Sequence, residues 1–209
     1  MRGRRLTWTI GGVGLIGAGV AGMLQGATLG TPLTDTLALL VDILWAASVL
    51  VFAIGSSSHD SVTARRPLGT IALILLALWS PAMRVIGLFQ DPTNPTPIVP
   101  WEVTILVPLA LSLVAVVQIA RAGVVPRRWR WMPAIALGVQ VASVALGQLL
   151  MMDPATAMQT VGLVSALGMI GFLAGTLGLG IVALLAVASG RPASVPVFSS
   201  PSDAENGTA

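Results

Sequence analysis

Apolar and polar positions fall in long blocks rather than in alternation. Six apolar stretches, each about as long as the ~20 residues a helix needs to cross a hydrocarbon layer, are separated by short polar or proline-containing breaks. This blocking predicts an all-α, polytopic integral membrane protein with six transmembrane helices over residues 6–29, 33–55, 68–90, 101–122, 132–152 and 160–189. Residues 1–189 then form one transmembrane domain. Pro32, Pro67, Pro100 and Pro133 stand at or beside the first turns of their spans, where a missing N–H leaves nothing unsatisfied. The first stretch reads as a span rather than a cleaved leader, because it far exceeds the ~7–15 apolar residues of a signal-peptide core. The remaining stretch, 190–209, is Ser/Pro-rich and mildly acidic, has little to bury, and reads as a disordered tail.

Charge adds an orientation. All 11 basic residues are arginine, and those between spans lie on one side. Arg2, Arg4 and Arg5 precede the first span, Arg65 and Arg66 separate the second and third, Arg121, Arg127, Arg128 and Arg130 separate the fourth and fifth, and Arg191 follows the sixth. The opposite loops hold no basic residue. The positive-inside rule therefore places both termini in the cytoplasm. A pI near 11.3 would suggest nucleic acid for a soluble chain, but here topology accounts for it and no nucleic-acid partner is expected. The expected surroundings are a lipid bilayer, taken from the Arg/Ala/Gly/Val bias to be the inner membrane of a bacterium.

Composition excludes several chemistries. With 0 cysteines and 1 histidine, thiol catalysis, thiolate metal sites and multi-histidine metal or haem sites are unavailable. No lysine is present for a Schiff base. No cofactor is expected. The first span twice spells GxGxxG, at Gly12 to Gly17 and Gly17 to Gly22, without the strand and soluble helix that give the motif its meaning. Gly14, Ala18, Gly22 and Gly26 instead form a small-residue ladder on one helix face, and Gly171 with Gly175 repeats it in the sixth span; such faces serve close helix packing.

Intramembrane charges are the remaining feature. Asp35 and Asp42 lie near one face of the second span, and Arg84 lies in the third, after Pro81. At ~1.5 Å per residue from the basic-poor boundary, Asp42 is ~13 Å deep, Arg84 ~9 Å and Asp35 ~3 Å. An Arg84–Asp42 or Arg84–Asp35 pair would relieve the cost of lone charges there. Glu102 and Gln148 converge on the same half, which suggests a polar pocket open to the outside. His59 reads as a loop residue. The Arg127 to Trp131 segment reads as a topology signal with interfacial anchors, with a lipid-headgroup contact as the alternative.

Two functions follow, with a membrane-embedded enzyme third, since paired carboxylates are present without a positioned nucleophile or metal set. The first is a non-enzymatic subunit that self-associates or joins a larger membrane complex through the glycine faces of its first and sixth spans. The second is a small secondary transporter or ligand-sensing membrane protein built on Asp42, Arg84 and Asp35.

Overall fold

The computed structural model describes residues 2–55, 61–90, 97–152 and 154–189. Among these the protein is wholly helical, without strands. The helices are α1 (Arg2–Ala27), α2 (Leu33–Ile54), α3 (Pro67–Gly87), α4 (Trp101–Ala122), α5 (Met132–Met151), α6 (Pro154–Leu173) and α7 (Leu179–Ser189). A π-helical turn, Ala174–Gly178, joins α6 to α7, so these two helices and the turn make one long rod. The described residues thus hold 6 helices long and apolar enough to cross a membrane. The expected tail and His59 lie outside the described residues.

Some boundaries differ from the apolar blocks. Helix α1 begins at Arg2, running through the arginines, and α3 stops at Gly87, where turns take over through Gln90. The last rod begins at Pro154 rather than Thr160, a proline being well suited to a first helical turn. Gly123 closes α4 in the left-handed region, with φ 67°.

The helices form an antiparallel ring. Helix α1 packs between α2 and the α6–α7 rod, α2 against α3, α3 against α4, and α5 against α6. The ring is thinnest between α4 and α5, which meet over far fewer residues than any other adjacent pair. Small residues fill the helix contacts: Ala18, Ala53, Ala72, Ala77 and Ala115 are buried, while Leu39, Ile43, Leu75, Leu106, Leu146 and Ile170 point outward. Small residues inside and large aliphatic ones outside is the distribution expected when the surroundings are themselves apolar.

The glycines of α1 serve two neighbours. A Cβ on Gly14 would collide with Ser48 Oγ of α2, whereas one on Gly22 would collide with the Phe172 ring of the rod, and one on Gly26 would make ordinary contact with Met169. The ladder read along Gly14, Ala18, Gly22 and Gly26 is therefore split between two partners. The tightest backbone approach lies elsewhere: a Cβ on Gly180 would be 2.8 Å from the carbonyl oxygen of Gly12. Gly171 packs on Gln140 of α5, while a Cβ at Gly175 would meet nothing within 4 Å.

At the arginine-rich end, hereafter the basic end, the segment 61–66 folds inward. Ser61 and Thr63 are fully buried; Ser61 donates to the carbonyl of Ala53 at 2.7 Å and shares a hydrogen bond with Thr63 at 3.1 Å. This anchoring offsets the strain of Ala64 and Arg65, both with φ near +50°. Arg65 donates from Nε to the carbonyl of Ile54 and from Nη2 to that of Gly55, capping the end of α2. A hydrophobic core of Trp8, Ala53, Val62, Leu73, Ile119, Val125 and Ala183 gathers at this end.

Candidate functional site

Two features meet at mid-length of the bundle. The first is an ion pair. Arg84 donates from Nε to Asp42 Oδ2 at 2.7 Å, and its Nη2 reaches the same oxygen. Ser80 donates to the other carboxylate oxygen, Oδ1, at 2.6 Å. Both oxygens of Asp42 are therefore satisfied, and this is the one ion pair among the described residues.

Helix direction explains the meeting. Asp42 lies ~13 Å along α2 from the far end and Arg84 only ~4.5 Å along α3 from it. Side chains on a helix lean toward its N-terminus. Since α2 starts at the far end and α3 at the basic end, Asp42 leans up and Arg84 leans down, closing the gap. Ser80, one turn before Arg84, lies on the same face of α3 and reaches the same carboxylate. Between them Pro81 leaves the carbonyl of Ala77 without its helical donor, a local loosening of α3.

The second feature is a cavity of about 590 Å³ inside the ring. It runs from Asp42, Ser80, Pro108 and Gln140 at mid-length to Phe52, Val62, Val125 and Trp129 at the basic end. Along α4 it extends from Pro108 to Ile119, ~16 Å. Trp8, Trp45, Trp79, Trp129, Phe52 and Phe172 contribute aromatic surface, and most of the rest is aliphatic. Polar side chains on its wall are few: Asp42, Ser80, Ser112, Gln140 and Thr176. Thr176 is already engaged, donating to the carbonyl of Phe172 at 2.8 Å. The π turn brings Gly175 and Thr176 onto the wall, in keeping with the frequency of π turns at functional sites.

The expected pocket is thus relocated. The cavity lies on the basic side of Asp42, not on the far side, and the ion pair stands at its far limit. Arg84 bonds to Asp42 without lining the cavity. Asp35, Glu102 and Gln148 are exposed and apart from it. Gln90 accepts a hydrogen bond from the backbone N–H of Ile98, a loop contact. Ser80, Gln140, Trp45 and Trp79 belong to the wall without having been singled out for it; Ser80 could have been found by its position one turn from Arg84. No group of three or more His, Cys, Asp or Glu side chains placed to hold a metal occurs among the described residues.

No protein-family model matches the chain, and no curated protein or solved structure matches it either. Fold and site define the class by themselves: six helices suited to a multi-pass membrane protein, enclosing an apolar lumen with an ion pair at one end.

Proposed function

We propose that the chain is a multi-pass protein of a bacterial inner membrane, with its basic end in the cytoplasm, and that it binds an apolar or amphipathic molecule in its lumen. The observation that carries this reading is the cavity. Its volume falls within the ~300–1,000 Å³ of ligand sites, and its wall has the same character, mostly hydrophobic and aromatic with a few placed polar groups. Water is a poor filler where so few wall groups can hydrogen-bond to it. The orientation rests on the arginine distribution, and the outward-facing aliphatic surface supports insertion.

The assembly-subunit reading loses its main support. Gly14 and Gly22 of α1 and Gly171 of the rod are taken up by contacts within the chain, while Gly175 faces open space on the cavity wall, so most of the small-residue positions expected to receive a partner are occupied.

The test uses the protein's own fluorophores. Four of its 6 tryptophans, Trp8, Trp45, Trp79 and Trp129, line the cavity. Titration of the detergent-solubilised protein with a brominated acyl-chain amphiphile should quench them saturably. Gly175→Phe, which adds a ring where a Cβ meets open space, should abolish that quenching while leaving the helix content intact. Linear, unsaturable quenching that is the same in both proteins would end the proposal.

A further inference from the structure

The α4–α5 turn carries chemistry that the ion pair and the lumen do not use. Arg127, Arg128 and Arg130 follow one another within it, interleaved with Trp129 and Trp131. None of the three has a carboxylate partner among the described residues. The guanidinium carbon of Arg128 lies 5.4 Å from the ring centre of Trp129, and that of Arg130 lies 5.5 Å from the ring centre of Trp131. The Nε of Arg130 is buried and has no hydrogen-bond partner. A buried guanidinium N–H left unmet is costly, and an incoming acceptor would relieve it.

The same turn bounds the basic end of the lumen. Trp129 and Val125 line the cavity from the turn, and Pro133 from the first turn of α5. Above it the ring is at its thinnest, between α4 and α5. Along α4 the cavity spans ~16 Å from Pro108 to Ile119, close to half of a ~30 Å hydrocarbon core, which is the depth one acyl chain covers. Cationic groups thus stand at one end of an apolar tube whose length suits a single chain.

We propose that the ligand is an anionic, phosphate-bearing lipid with one chain in the lumen, entering from the bilayer between α4 and α5. Its phosphate sits against Arg128 and Arg130. The guanidinium supplies planar paired donors to phosphate oxygens, which an aliphatic or aromatic wall cannot do. Stacking on Trp129 holds Arg128 beside the basic end of the lumen. The inference rests on the lumen-binding reading above and adds the headgroup class and the route.

The test compares brominated lysophosphatidylglycerol with brominated lysophosphatidylcholine by tryptophan quenching of the full chain. The wild type should bind the anionic probe about tenfold more tightly, a preference that weakens with salt. Arg130→Gln and Arg128→Gln should each reduce that preference while quenching at saturation persists. Gly175→Phe and Ser112→Phe fill the lumen from different helices, so either one, if folded, should abolish quenching by both probes. Equal affinities in the wild type, or a preference untouched by both arginine variants, would overturn the headgroup assignment and leave lumen binding standing. Displacement of the anionic probe by glycerol phosphate at equal concentration would overturn the lipid in favour of a soluble phosphate. Quenching that survives both lumen-filling variants would overturn the underlying binding reading itself.

Discussion

Neutralising one partner of the Asp42–Arg84 pair should have unequal effects, and the inequality follows from helix geometry. Arg84→Gln leaves the Asp42 carboxylate with the Ser80 hydroxyl alone, ~13 Å from the far boundary on a side chain too short to reach water. A lone carboxylate at that depth costs ~2.5–3.5 kcal/mol on the lenient insertion scale. Asp42→Asn strands the cation instead, but Arg84 starts only ~4.5 Å from the boundary, and its side chain is already 39% exposed against 16% for Asp42. It can turn outward to the headgroups, so the loss is that of a hydrogen bond, ~1 kcal/mol. The double variant has no charge to strand and should resemble Asp42→Asn. Reversible unfolding in mixed micelles, read by far-UV circular dichroism for all four proteins, therefore has a defined outcome. Arg84→Gln should be the least stable, with the second substitution recovering ~2 kcal/mol of its loss. Equal single effects, or single effects that add within ~0.5 kcal/mol, would show that the two groups are not coupled or that their depths are misassigned.

Other expectations follow from packing. Gly180→Ala drives a Cβ to 2.8 Å from the Gly12 carbonyl oxygen and should destabilise the protein by ~1–3 kcal/mol; Gly175→Ala, five positions earlier in open space, should be neutral or stabilising by ~0.5 kcal/mol. A matched loss at both sites in thermal melts would contradict this account of the rod. Ser61→Ala removes a hydroxyl that donates to Ala53 and lies 3.1 Å from Thr63 Oγ1, and should lower stability by ~1–3 kcal/mol, with faster proteolysis of the segment 61–66; unaltered cleavage would mean the strained turn holds without it. Reporter fusions after Gly30 should read extracytoplasmic and those after Gly123 cytoplasmic, and one reversed signal would invert the orientation.

Helices were legible because their chemistry is one-dimensional. An apolar block bounded by proline or glycine needs no partner to declare itself, and α2, α4 and α5 occupy the blocks read for them almost without change. The facing of Asp42 and Arg84 was legible for a related reason, since depth along two short-looped antiparallel helices can be counted. Three features were not. The Gly14, Ala18, Gly22 and Gly26 ladder looks like one face, but α1 lies in a corner between α2 and the rod, and which glycine serves which neighbour depends on the crossing of both. The π turn at Ala174–Gly178 interrupts an apolar block, 160–189, that contains no proline to mark it. The lumen belongs to no single segment; its wall draws on every helix, and polar residues such as Glu102 and Gln148, counted at similar heights, turned out to face away from it.

The contact between Gly12 and Gly180 bears on how the protein is made. It joins α1 to α7, and at ~5–20 residues per second the wait between their syntheses is roughly ten to thirty seconds. Throughout that time the α1 surface around Gly12 and Gly19 is unpartnered, and the nascent bundle is an arc with two free ends. Surveillance proteases and insertion factors of the membrane therefore meet the arc before they meet the ring. Variants that loosen the seam between α1 and α7 should reveal themselves first as reduced yield, whatever they do to the finished molecule.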